Sequence, residues 1–143
     1  MTDFDEGIKM PAPPDVLSFA LPFPPTVNHY YRRTNGGKRV VLTERGVAYR
    51  SRVRALVKGD RLDMGLTGRL TVHVSAHMPD QKVRDLDNLL KALLDSMEKA
   101  GVYKSDGQID DLRITRVKCS EMSRDMGGLV TIRIWEHHDD EPG

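Results

Sequence analysis

The chain has 143 residues, 38% hydrophobic and 30% charged, with a formal net charge of +1. That length favours one domain around one core, and no apolar run nears the roughly 20 residues that span a bilayer. Cys119 is the only cysteine, so an intramolecular disulfide is impossible and a reducing cytoplasm fits best.

The near-zero charge hides an asymmetry. Residues 1–15 carry a net −3, and residues 28–61 hold ten Lys/Arg against Glu44 and Asp60 for a net +8. Residues 62–135 balance, and the stretch from Glu136 adds −4. A basic segment between acidic ends suits a polyanionic partner; a solvated helix face with a basic hairpin explains it equally well.

Residues 1–15 contain Pro11, Pro13 and Pro14 without periodicity and lack a signal-peptide pattern, so they read as a flexible acidic leader. VLSFAL (16–21) reads as a strand halted by Pro22, with Pro24–Pro25 extending the loop. NHYYRR and KRVVL flank Thr34-Asn35-Gly36-Gly37, whose Asn-Gly and Gly-Gly steps supply positive φ for a hairpin. Thr43 is placed to N-cap a helix over about 44–58, with Val47, Val53, Leu56 and Val57 as a partial apolar stripe. Arg69–His77 alternates as a half-buried strand with Leu70, Val72, Val74 and Ala76 on one face. A second helix is expected over about 86–99, with Leu86, Leu89, Leu90, Leu93, Leu94 and Met97 as its stripe and Gly101 as its stop. Leu112 with Ile114, and Val130 with Ile132 and Ile134, mark two further strands, and Glu136 opens an acidic tail. The economical packing is α+β, a single small mixed β-sheet with two helices. The expected organisation is a leader (1–15), one domain (16–136) and a flexible tail (137–143).

The chemically informative segment is residues 78–101. Asp85, Asp87 and Asn88 crowd the first turn of the second helix. Helix N-termini favour carboxylates as caps, which explains one aspartate better than two; a pair of like charges also suits a hard divalent cation. Lys91 lies four residues after Asp87 on the same face, as a helix ion pair or as a cation aimed at a phosphate. Asp106 follows in a loop, with Asp110 and Asp111 as competitors, and spacing alone does not join it to the pair. His73 and His77 share a strand face without the companions of a zinc site. Tyr30, Tyr31 and Arg32 suit stacking on DNA or packing of the hairpin, and Trp135 suits core or a subunit contact. No GxxxxGK[ST] occurs, so no nucleotide cofactor is expected.

Three patches resemble the RusA family of Holliday junction resolvases: LPFPPTVNHYYR (21–32), HMPDQKVRDLDNLLKALLDSMEKAG (77–101) with an RDxDN-xx-K helix, and VYKSDGQIDDLRI (102–114) with an Asp-x-Gln loop. The resemblance implies Asp85, Asp87 and Asp106 as metal ligands and, with Lys91, as the catalytic set. It implies Mg²⁺, replaceable by Mn²⁺, and a cytoplasmic homodimer making paired cuts in four-way DNA junctions. Arg32, Arg33, Lys82, Arg84 and Asn88 are then the candidate DNA contacts. The acidic ends, Ser105 and the weakly basic QKVR (81–84) depart from the family pattern. The alternatives are a non-catalytic branched-DNA-binding protein on the same scaffold and a nuclease for other branched DNA.

Overall fold

A computed structural model describes residues 16–137; the leader and the stretch from residue 138 lie outside the described residues. In chain order the elements are β1 (Leu17–Pro22), α1 (Val27–Tyr30), β2 (Tyr31–Thr34), β3 (Arg39–Leu42), α2 (Glu44–Gly59), β4 (Arg69–His77) and α3 (Asp87–Ala100). A 3₁₀ turn (Asp106–Gln108), β5 (Ile109–Val117), α4 (Glu121–Met126) and β6 (Leu129–His137) complete the chain.

The main sheet is mixed, in the order β1-β6-β4-β5. β6 pairs antiparallel with β1 and β4, while β5 pairs parallel with β4. A parallel neighbour needs a crossover, and α3 supplies it. β2 and β3 form a separate two-stranded ribbon, turned at Asn35, Gly36 and Gly37, all at positive φ.

The alternation read in β4 places its side chains correctly. Leu70, Val72, Val74 and Ala76 are buried, and Val72, Val74 and Ala76 meet Ile134, Ile132 and Val130 across the β6 register. α2 and α3 cover this face. Leu89, Leu93 and Met97 of α3 are almost fully enclosed, each stabilising the fold by about 2 kcal/mol through burial. α3 ends at Gly101, φ 92°, as the sequence indicates. The opposite face carries Thr71, His73, Ser75 and His77, where the His73 ring meets Trp135 edge-on at 5.0 Å.

Three expectations need correction. The buried stripe of α2 is Gly46, Tyr49, Val53 and Val57, while Val47 and Leu56 face solvent. Gly46 lies so close to the Tyr30 carbonyl that a Cβ would stand 2.5 Å from it, which fixes the face of the helix. Thr43 caps α2 as read, accepting from the Gly46 N–H at 2.9 Å. Two short helices, α1 and α4, join the two long ones; α4 has a reciprocal Ser120–Ser123 cap and a left-handed Gly127 stop. Glu136 and His137 belong to β6 rather than to a tail. Glu136 accepts the Gly68 N–H at 2.9 Å, and His137 contacts Asp110 at 3.1 Å. The strand marked by Leu112 and Ile114 is β5, an edge strand on which Leu112 is exposed.

Candidate active site

β4 and β5 are parallel, so their carboxyl ends share one edge of the sheet, where open α/β sheets usually hold ligands. The loop from Met78 to Leu86 leaves β4 at that edge and is held from two sides. Arg84 binds Asp80 through both terminal nitrogens, one at 3.0 Å, and its guanidinium lies 5.9 Å from the Phe23 ring centroid. The Arg84 hydrogen bonds, helped by the Lys82 N–H, hold the Asp80 carboxyl down at about 2. Arg116 of β5 donates to the Arg84 carbonyl at 2.6 Å.

This clamped loop delivers Asp85 and Asp87 to the start of α3. Both are exposed. Leu86 takes the cap position in helical conformation, with no side-chain capping bond. No ion pair among the described residues engages either carboxylate. The capping reading is therefore not realised, and the oxygens stay open to an external cation. Asn88 sits half-buried in the same turn.

Lys91 lies one turn further along the same helix face, exposed and unpaired with Asp87 among the described residues. Its ammonium lies 5.9 Å from the Tyr31 ring centroid, a cation–π distance. The next turn carries Asp95, buried and bound to Arg50 at 2.5 Å and to the Tyr30 hydroxyl. Arg50 also donates to the Tyr30 hydroxyl at 3.0 Å. Burial, reinforced by Asp95, pushes Tyr30 up to about 12, so it remains a donor. Burial raises the Asp95 pKa, but hydrogen bonds from Tyr30 and Arg50 outweigh it and leave the carboxyl below its ordinary range. This network ties α1, α2 and α3 together beneath Lys91. Sequence reasoning left Tyr30 between DNA stacking and packing; it is fully buried and belongs to the packing.

Asp106 is elsewhere. It opens the 3₁₀ turn before β5, at the amino edge of the sheet, and its N–H donates to Glu98 Oε1 at 3.0 Å. Glu98 lies eleven residues beyond Asp87 on α3, an axial rise of about 16 Å. The turn is braced by buried Gln108, which accepts the Lys104 and Ser105 N–H groups at 2.9 and 2.7 Å. Gln108 also donates to the Leu66 and Gly68 carbonyls at 2.9 and 2.8 Å. That bracing explains why an Asp-x-Gln sequence shapes the loop. No three carboxylate, histidine or cysteine groups form a metal-holding cluster among the described residues. One chain thus brings Asp85, Asp87, Asn88 and Lys91 together and leaves Asp106 apart. The competitors are committed elsewhere: Asp110 binds Arg69 and His137, and Asp111 binds Arg113 at 3.3 Å.

Of the candidate DNA contacts, Lys82 is exposed beside the pair, whereas Arg84 is engaged by Asp80. Arg32 and Arg33 are exposed on the ribbon and line a cleft of about 400 Å³ with Val27, Asn28, Tyr31 and Val40. Tyr31 links that cleft to Lys91. Sequence reasoning did not single out Glu98 or the Asp95 network, and read Gln108 only within the Asp-x-Gln motif. Glu98 was accessible in principle, since 87 and 98 fall within about 20° on a helical wheel.

The donor chemistry fits a hard cation. Mg²⁺ commonly takes one or two protein carboxylates and completes its shell with water and substrate phosphate, and Asp85 with Asp87 offers that pair.

The model of the family described as Endodeoxyribonuclease RusA matches residues 22–134. A crossover junction endodeoxyribonuclease of Enterobacteria phage 82 is 40% identical over 116 residues, 81% of this chain and 91% of that protein. The proteins of that name from Escherichia coli K12 and Enterobacteria phage HK97 are 39% and 42% identical, covering 85% and 82% of this chain and 96% and 92% of their own lengths. With the match running from the end of β1 into β6 and through the whole carboxylate helix, this chain belongs to the RusA family of endodeoxyribonucleases.

Proposed function

We propose that this chain resolves Holliday junctions in recombination, repair or phage DNA processing, by paired, divalent-metal-dependent hydrolysis of DNA phosphodiesters in the cytoplasm. The observation that carries the proposal is the uncommitted pair Asp85 and Asp87 at the start of α3, with Lys91 on the same face. Asp85 and Asp87 would hold Mg²⁺, or Mn²⁺ in its place. The bound ion supplies Lewis-acid polarisation of the phosphate and a water of lowered pKa. Lys91, oriented by Tyr31, offsets charge that develops on the phosphate oxygens. Lys82 and Asn88 steady the strand beside the cut, and Arg32 and Arg33 hold a second stretch of backbone. Arg84 shapes the loop through Asp80, with DNA contact as its second role.

Asp106 takes part through a second copy. Asp87, Lys91 and Glu98 share one face of α3, with Asp106 at its far end. A two-fold axis crossing that face pairs one copy's helix start with the other's helix end. Asp106 of each copy then completes the carboxylate set of its partner, and two such sites suit paired cuts in a junction of near two-fold symmetry.

The test is cleavage of a synthetic four-way junction with Mg²⁺ and a chelator control. Asp85→Asn and Asp87→Asn should abolish cleavage while junction binding survives. Turnover persisting in excess chelator would sink the metal-dependent reading. Binding without cleavage under any divalent metal would leave a branched-DNA-binding protein, and cleavage of flaps in preference to junctions would reassign the substrate.

A further inference from the structure

Beside the catalytic loop, at the same carboxyl edge of the sheet, a groove of about 590 Å³ runs between residues 78–83 and the end of β5. Lys82 lines it on one side, and Arg116, Lys118 and Cys119 line it on the other. Its one carboxylate, Asp80, is already neutralised by Arg84. No ion pair among the described residues engages Lys82, Arg116 or Lys118. Three cations around one concave surface repel one another unless an anion lies between them. Arg116 is fixed by its bond to the Arg84 carbonyl, so the groove and the loop bearing Asp85 form one rigid piece.

We infer that this groove is a phosphate track, seating the backbone of the DNA strand that continues from the scissile bond, with Arg116 and Lys118 as contacts additional to Lys82. The inference rests on the junction-cleaving reading. Position selects DNA over another anion. Lys82 is three residues from Asp85, at most about 10 Å of extended chain, which is about three nucleotides of rise at 3.4 Å per strand position. A strand held by Asp85 and Asp87 therefore cannot pass this edge without meeting the groove. The track also explains how a chain whose QKVR segment is weakly basic holds DNA near the cut: β5 supplies the missing charge from across the groove.

The experiment uses the full chain and a synthetic four-way junction in EDTA, so that binding is read without cleavage. Each phosphate contact contributes about −0.9 to the slope of log K against log salt. Lys118→Gln should weaken binding several-fold and reduce the magnitude of the slope by about 0.9, and Lys118→Arg should restore both. As a second readout, junction DNA should slow alkylation of Cys119 by iodoacetamide at least several-fold in the unmodified protein. An unchanged slope and unprotected Cys119, in a protein that still cleaves junctions with Mg²⁺, would overturn the track and leave the proposed function standing. Protection of Cys119 that grows with protein concentration in the absence of DNA would overturn it too, making this face a contact between copies. Failure of the unmodified protein to bind or cleave the junction would remove both proposals together.

Discussion

The separation of Asp106 from Asp85 and Asp87 makes a quantitative prediction about mixed dimers. If each site takes Asp87 from one copy and Asp106 from the other, Asp87→Asn and Asp106→Asn homodimers both have two dead sites. A heterodimer of the two variants has one doubly damaged site and one fully unaltered site. Random exchange between equal amounts makes half the dimers mixed, so about one quarter of all sites regain activity. The assay is mixing after mild denaturation, followed by Mg²⁺-dependent nicking of a junction labelled on each strand. Nicking should return to about one quarter of the unaltered rate, while paired resolution stays near zero because each active dimer holds one competent site. A mixture of Asp85→Asn with Asp87→Asn is the control and should stay dead, since these residues act on the same side. The geometric basis is the rise of about 16 Å along α3 between Asp87 and Glu98, which holds the Asp106 N–H. No recovery in a mixture shown by mass to contain heterodimers would refute the shared site and require Asp106 to reach Asp87 within one chain.

Three further outcomes follow from the surroundings of the pair. Tyr31→Leu removes a partly exposed cation–π contact of about 0.5–1 kcal/mol, so cleavage of bound junction should slow by roughly two- to five-fold with little change in affinity. Asp95→Asn leaves Arg50 without its buried partner; at a pair about a quarter exposed on the arginine side, a loss of about 2 kcal/mol is expected, read as a fall in Tm of roughly 6–8 °C. Because the Asp95 carboxyl is held below its unfolded value, its contribution is present above about pH 4 and is lost as pH falls through the folded value. The Tm gap between unaltered and Asn proteins should therefore close in acid; a gap that stays constant to pH 2 would refute the assignment. Gln108→Ala removes four hydrogen bonds under Asp106 and should impair cleavage far more than junction binding, with equal losses in both counting against a role confined to that loop.

What the sequence disclosed depended on whether a signal was local. The period-two pattern of Arg69–His77 and the i, i+3, i+4 leucines of α3 each bury one face, so a residue's register follows from its own neighbours. α2 was less legible. Tyr49 and Gly46 form its buried stripe because of the Tyr30 carbonyl and the main sheet, and neither constraint lies within the helix. Glu136 counted as tail because of its charge, yet its carboxylate holds the Gly68 N–H of a residue 68 positions away. The Asp95–Arg50–Tyr30 network joins residues 45 and 65 positions apart, so no spacing rule within one helix could find it.

The candidate site divides along the same line. Asp85, Asp87 and Lys91 sit within seven residues, and their spacing places Asp87 and Lys91 on one helix face. Asp106 is fifteen residues beyond Lys91, and resemblance alone attached it to them. The fold separates Asp106 from them within one chain. The crossover that makes β5 parallel to β4 requires α3 to carry the chain from the carboxyl edge of the sheet back to the amino edge. Any residue in the turn after α3 must then lie a helix length from any residue in the turn before it. Such a crossover holds carboxylates at its two ends about a helix length apart within one chain. If Asp106 joins Asp85 and Asp87 as proposed, a second copy running the other way would close two such sites, and paired cuts would then require the dimer.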